Sequence, residues 1–428
     1  MAADKKNDQS YWAYVRRQFS KKKTAVISLY IVIFLAVIAM LAPFLANEKP
    51  LVCKYQGELY FPVLKEMAVD LGMGEFQPQF QNIDWKKLEY DMVIFPPVPY
   101  LPMNQDNDNI HSKSPFDDQV VPSMRFHHWF GTDELGRDVL AGMIHGTKIA
   151  MTVGIVSMFI ASLIGILLGS LAGFYGDDNF QVSRIRLWGN LLFLFFAFFY
   201  SFATRSYDIT DALGKSLGQG FVQLGISLLI FAVVMVAGNL LVIPLKKISA
   251  LGKQVSVPFD LMIMRVIEVL NSIPTLFLIL LIISIVRKPN LYVIMGIIGL
   301  TGWTGIARFI RAELLKVRNL EYIEAANSLG FTNAHILFRH AIPNALSPVL
   351  ISIAFGIAGA ILTESTLSFL GLGPADTVTW GQLLSYARQI PQAWWLAIFP
   401  GFAIFITVTT FNLIGDGLTD AMDPRLKQ

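Results

Sequence analysis

The chain has 428 residues, 54% of them hydrophobic and only 15% charged, with a mean hydropathy of +0.53. A water-soluble domain carries about 25% charged residues, so this composition belongs to an integral membrane protein. The 34 basic and 31 acidic side chains leave a net charge of +3, too balanced for a nucleic-acid binder, and the single cysteine, Cys53, excludes an intrachain disulfide and any Cys-based zinc pattern.

At the N-terminus "YWAYVRRQFSKKK" (11–23) mixes aromatic and basic residues, as an amphipathic helix at headgroup level would; a disordered tail is the alternative. Uncharged runs then occupy 24–47, 149–176, 187–204, 216–245, 269–286, 289–307, 341–363 and 389–415. Each reaches the roughly 18 residues that cross a bilayer, which predicts an all-α polytopic protein with about eight transmembrane helices. The first run is longer than the roughly 7–15 residues of a signal-peptide core and reads as an uncleaved anchor.

Between the first two runs, 47–128 is too long to obey the charge rule and is expected outside. Its stretch "EYDMVIFPPVPYLP" (89–102) favours an ordered, packed segment, either an external cap or plain filling between helices. His127 and His128 read as a surface pair before Trp129, because adjacent histidines point apart on most backbones. "ALGKS" (212–216) has the tail of a phosphate loop without its upstream glycine or strand, so no nucleotide site is expected. In the segment 187–204, "LLFLFFAFFYSF" is almost devoid of small residues and suits contact with lipid.

Placing the N-terminus inside puts Arg184, Arg186, Lys246, Lys247, Lys253, the 308–339 segment with Arg308, Arg311, Lys316, Arg318 and Arg339, and finally Arg425 and Lys427 on the cytoplasmic face. Arg287 and Lys288 run against the rule. Glu268, Asn271 and Glu364 lie at the ends of apolar runs and read as packing residues before substrate contacts, while Pro274 and the glycines of "IGILLGSLAG" (164–173) predict kinked, closely packed helices.

One cytoplasmic stretch stands apart: "EYIEAANSLGFTNAHILFRHAIP", 321–343, is polar and helix-favouring. Tyr322, Ala325, Ala326 and Leu329 recur at helical spacing, giving a face with small side chains flanked by Glu321 and Glu324. Such a face admits close approach of another surface. Gly330 is placed to end the helix in the left-handed conformation, Thr332 or Asn333 to cap the next one, and Pro343 to disturb that one at the membrane. An amphipathic connector resting on headgroups is the plainer reading, but such helices favour bulky apolar and basic faces.

Glu324-Ala325-Ala326, with Gly330 and Pro343 behind them, resembles the EAA motif of binding-protein-dependent ABC importer permeases. "FGTDELGRDVLAGMIHGTKIA" (130–150), "GWTGIARFIRAELLKVRN" (302–319), "LTESTLSFLGLG" (362–373) and "NLIGDGLTDAMDPR" (412–425) are similar to the C-type permease subunit of oligopeptide, dipeptide and nickel importers. "ANEKPLVCKYQGELYFPVLK" (46–65) is similar to the inserted segment of the microcin C type.

The resemblance implies a type I importer (MetI-like) core at 129–177 and 259–428, preceded by an N-terminal segment and first helix at 1–46 and an external, periplasmic insertion at 47–128. The stretch 178–258, where the family has a short link, is expected to add two helices. It implies a non-enzymatic subunit that binds no cofactor, with ATP and Mg used by one or two partner ATPase subunits. A second, B-type permease would complete a heterodimer in the bacterial inner membrane, both termini cytoplasmic, with an extracytoplasmic substrate-binding protein and membrane lipid as further partners. Tyr322, Glu324, Ala325, Ala326, Leu329, Gly330 and Pro343 would form the coupling loop, and the cargo would be oligopeptides, dipeptides or modified peptides, or else nickel or another small solute. A secondary transporter would show repeated halves and a membrane-bound enzyme a catalytic set; neither is found.

Overall fold

The structure, a computed structural model, describes residues 11–70, 73–75, 80, 83–177, 181–215, 217–245, 253–285, 290–374 and 376–422. Helix α1 (Tyr11–Lys21) leads into α2 (Lys23–Leu45), and then come β1 (Val52–Tyr55), β2 (Glu58–Tyr60), α3 (Pro62–Asp70) and β3 (Met92–Ile94). The long α4 (Val139–Ser170) ends in a π turn at Leu171–Tyr175. Next come β4 (Gln181–Ser183), α5 (Arg184–Phe198) with a π turn at Phe199–Ala203, α6 (Ser206–Lys215), α7 (Leu217–Leu245) and β5 (Gln254–Ser256). The remainder is α8 (Phe259–Ser272), α9 (Thr275–Ile285), α10 (Leu291–Val317), α11 (Glu321–Ser328), α12 (Asn333–Ile336), a π turn at Leu337–Ala341, α13 (Ile342–Phe369), α14 (Trp380–Gln389) and α15 (Trp395–Met422).

Among the described residues, seven continuous segments are long and apolar enough to cross a membrane: Lys23–Leu45, Val139–Tyr175, Arg184–Ala203, Gly218–Leu245, Leu291–Val317, Asn333–Phe369 and Trp395–Met422. The expected span at 269–286 is corrected. Its residues belong to two helices, α8 and α9, bent by 85° at a break, where Pro274 has no N–H to continue the ladder. The expected span at 389–415 likewise starts later, at Trp395, because α14 is a separate short helix. Lys246, Lys247, Arg287, Lys288, Arg425 and Lys427 lie outside the described residues.

The chain divides into two units, Met1–Ile166 with Ile273–Ile310 and Ile342–Gln428, and Leu167–Ser272 with Arg311–Ala341. In the first, α15 packs against α13, α2 and α14. Fully buried Trp380 donates its Nε1–H to the Met143 carbonyl at 3.1 Å. Gly165 lets α4 meet α10, since a Cβ there would lie 2.9 Å from the Trp303 carbonyl oxygen. This is the small-residue contact that holds membrane helices together without a hydrophobic driving force.

Helix α1 does not simply lie among headgroups. Its Val15 is buried, Phe19 sits against Gly417, and the following Lys22 pairs with Asp420 at 2.6 Å. The start of α2 and the end of α15 therefore lie at one end of the same unit. The described residues hold seven candidate spans, or eight if the bent α8–α9 pair is one span.

Among the described residues, the segment after α2 folds into a small sheet with an aromatic core. Strands β2, β1 and β3 form an antiparallel sheet in that order, with Cys53 opposite Tyr60 on one side and Val93 on the other. Phe80, Trp85 and Phe95 make a small core, with Phe80 stacked on Trp85 at 5.2 Å. A sheet this short has little area of its own, so the aromatic rings supply most of its burial.

In the second unit α5 and α7 run antiparallel. Gly189 faces Val242, Gly238 faces Phe193, and Phe202 reaches Phe231. Asn239 donates to Asn190 at 2.9 Å and accepts from Arg186 Nε at 3.1 Å, so polar groups zip one end of the pair. β4 and β5 pair antiparallel at its base, Gln181 opposite Ser256. That ribbon ties the chain entering α5 to the chain that follows α7.

Candidate coupling site

The hairpin at 321–343 builds itself from local chemistry. After Val317 the chain turns through Asn319 and Leu320, whose N–H groups reach the carbonyls of Lys316 and Val317. α11 then begins with Glu321 and Glu324 in its first turn, where their charge complements the helix N-terminus. Its end is a Schellman motif. The Gly330 N–H donates to the Asn327 carbonyl at 3.0 Å and the Phe331 N–H to that of Ala326 at 3.2 Å, with Gly330 at φ +81°. Thr332 caps α12 by accepting from the His335 N–H, and the ring of Phe331 stacks on His335 at 5.1 Å.

The π turn at Leu337–Ala341 precedes α13, where Pro343 is the second residue. A proline there loses an N–H that the first turn does not need. The second arm of the hairpin is helical and continues directly into α13.

Which side chains face outward differs in part from the sequence expectation. Tyr322, Glu324, Ala325, Leu329, Gly330 and Pro343 are exposed, Leu329 by 77%. Ala326, expected on the same face, is buried beside Ile323, because its face of α11 packs inward. The exposed surface is therefore narrower and more apolar than expected, with Phe331 joining Tyr322 and Leu329. Sequence spacing alone did not single out Phe331, since it follows the turn and belongs to neither helix period.

Behind the hairpin lies a cleft of about 400 Å³ lined by Phe174, Tyr175, Arg318, Asn319, Ile323, Asn327 and Asn333. Sequence reading missed it too, since its lining comes from three separated stretches.

The other residues weighed in the sequence fall as follows. Glu268 is exposed and pairs with Arg265 at 2.7 Å. Glu364 is buried and accepts hydrogen bonds from Ser368 at 2.6 Å and Ser365 at 3.5 Å, with the Thr379 hydroxyl also a partner, which is a packing role. Lys215 of "ALGKS" ends a helix, not a strand-to-helix loop, and Ser216 lies outside the described residues.

The surface reading of His128 is overturned. It is fully buried, with Nδ1 2.7 Å from Asp138 and Nε2 3.1 Å from Asp106, its ring stacked on Tyr100 at 4.2 Å. Asp138 in turn accepts from the Ala141 N–H at the start of α4, so the network ties the segment between α2 and α4 to α4. Burial would raise the Asp106 carboxyl, but hydrogen bonds from Asn109, His128 and the Asp108 N–H outweigh it and hold it below its ordinary value of 3.8. A depressed carboxylate contributes stability that is present above the unfolded value and lost as pH falls through the folded one. The thermal midpoint of the wild type should therefore exceed that of Asp106→Asn at neutral pH, and the gap should close as the pH drops below 3.8; calorimetry of the two proteins across that range checks it.

Comparison with known proteins now bears on this geometry. The family model described as binding-protein-dependent transport system inner membrane component matches 248–428, and that for the N-terminal TM domain of oligopeptide transport permease C matches 10–57. The glutathione transport system permease protein GsiD of Pectobacterium atrosepticum is 30% identical, over 70% of this chain and 73% of its own. The chain belongs to the binding-protein-dependent permease family. The inner membrane ABC transporter permease protein YejE of Escherichia coli is 28% identical over 97% of each chain. The oligopeptide transport system permease protein OppC of Haemophilus influenzae is 26% identical over 97% of this chain and 89% of its own. This permease is thus a multi-pass membrane subunit of an ABC importer, and its family is one of transport components.

Proposed function

We propose that this permease carries peptides or modified peptides inward and is driven through the 321–343 hairpin by a cytoplasmic ATPase. The observation that carries the reading is the exposed Tyr322–Leu329 face on a hairpin whose corner is set by Gly330 and which continues into α13. A helix laid in a partner's groove, with Glu324 at its rim for a basic group, transmits displacement only if the far end is rigid. ATP and Mg belong to the partner ATPases, and a second permease subunit completes the pathway. Relatives named for oligopeptides and glutathione support a peptide-like cargo; the external cap would help dock the substrate-binding protein. Purification of the tagged permease from native membranes should bring down a second permease and an ATPase, and proteoliposomes of that complex with its binding protein should accumulate labelled peptide only with ATP. Retrieval of the permease without an ATPase, or uptake of nickel and not peptide, would refute the corresponding part.

The orientation belongs to the same proposal, with the N-terminus, C-terminus and hairpin cytoplasmic as the lysine and arginine distribution supports. With Cys53→Ser as background, Tyr207→Cys should react with an impermeant maleimide from outside, and Ser256→Cys only after the membrane is opened. Labelling of Ser256→Cys in sealed cells would invert the topology.

A further inference from the structure

The cleft behind the hairpin is polar and holds a charge that the hairpin does not spend. Of its seven lining residues Arg318 is cationic, Asn319, Asn327 and Asn333 are carboxamides, Tyr175 is a phenol and none is acidic. Among the described residues Arg318 has no ion pair. Its one hydrogen bond runs from Nη1 to the Gly173 carbonyl at 3.5 Å, which leaves most of the guanidinium N–H groups unspent. The acidic side chains near it in sequence do not serve it, since Glu313 pairs with Lys316 at 2.7 Å and Glu321 and Glu324 are exposed.

The mouth of the cleft runs along the exposed face of the hairpin. Around α11, Asn327 sits between buried Ile323 and exposed Glu324, so a surface laid over Glu324 passes the mouth. Asn333, exposed at the start of α12, lines it from the other arm. A single guanidinium without an internal counter-ion matches a single carboxylate, which its planar fork binds through two parallel hydrogen bonds. Carboxamide N–H groups beside it suit the remaining lone pairs of that carboxylate. The volume, about 400 Å³, has room for an acidic side chain and bridging water.

We propose that the cleft receives an Asp or Glu side chain of the cytoplasmic ATPase, held by Arg318 between Asn327 and Asn333, and this rests on the reading that the hairpin docks an ATPase. The contact is the reverse of the one at Glu324, where the permease offers the carboxylate and the partner the cation. Two charge pairs of opposite sense on one surface fix the orientation of the partner, because a reversed approach sets like charges together.

The test uses the full-length permease with its second subunit in nanodiscs, titrated with purified ATPase. Arg318→Glu should weaken binding about tenfold or more. Asn333→Asp should weaken it too, although a carboxylate in the first turn suits a helix, so the loss does not come from unfolding. Asn333→Lys should bind at least as tightly as the wild type. In the assembled complex carrying Arg318→Lys, a zero-length carbodiimide, which joins an amine to a carboxylate with loss of water, should link position 318 to an acidic residue of the ATPase, located by mass spectrometry of the digest. Unchanged binding by Arg318→Glu and Asn333→Asp, with Leu329→Asp still releasing the ATPase, overturns the proposal and leaves the coupling reading standing. Unchanged binding by Leu329→Asp as well removes the coupling reading and the proposal with it. A link from position 318 to Glu321 or Glu324 of the same chain, or to the second permease subunit, also overturns the proposal.

Discussion

Leu329→Asp and Glu324→Lys should leave the permease in the membrane yet lower peptide uptake by more than about tenfold and remove the stimulation of ATP hydrolysis by loaded binding protein. Leu329 is the most exposed of the large apolar residues on the hairpin, and its substitution forces a carboxylate into a contact expected to exclude water, a loss of about 2 kcal/mol or more when such a residue anchors an interface. Glu324 is exposed and has room for lysine, so the loss would come from repulsion by the partner and not from misfolding. Gly330→Val serves as the geometric control. A Cβ there meets nothing within 4 Å, but a β-branched residue does not tolerate φ +81°, so the corner must open even though no charge is added. Turnover measured on purified complexes, with membrane levels checked by blotting, decides it. Normal stimulation in Leu329→Asp and Glu324→Lys would remove the hairpin from the coupling route.

The second large effect lies outside that hairpin. Gly381→Val should deplete the permease from the membrane, because a Cβ at that position would stand 2.2 Å from the Ser365 carbonyl oxygen of α13. Backbone cannot step aside as a side chain can, so α14 must leave α13. With it would go the packing of Trp380 and the contact between Thr379 and Glu364, at a cost of about 3 kcal/mol, the upper part of the usual range for overpacking. Protein level in membranes and the thermal midpoint in detergent measure it. Wild-type values of both would show that α14 seats differently.

Much of this architecture was legible because hydrocarbon leaves so few options. Uncharged runs long enough to span must be helices, and the charges between them mark their ends; seven of the eight were readable on that ground. The hairpin's corner was equally local. Gly330 and Thr332 act on their own and adjacent backbone, so their roles follow from residue type and spacing. Ala326 and Phe331 were not readable, because which face of α11 turns inward depends on Ile323 finding a place to be buried.

The same division holds for the whole protein. Sequence by itself determined a polytopic helical membrane protein, seven of its candidate spans, the family resemblance of the hairpin at 321–343 and the glycine on which that hairpin bends. Those features arise from solvation of the backbone and from short-range conformational preference, which depend on residues close in the chain. Only the tertiary structure decided that His128 is buried between Asp106 and Asp138, that α8 and α9 bend by 85° at their break, and that Arg318, Asn327 and Phe174 share a cleft. Each of these joins groups far apart in sequence. Their meeting depends on how helices pack, and neither composition nor periodicity records that.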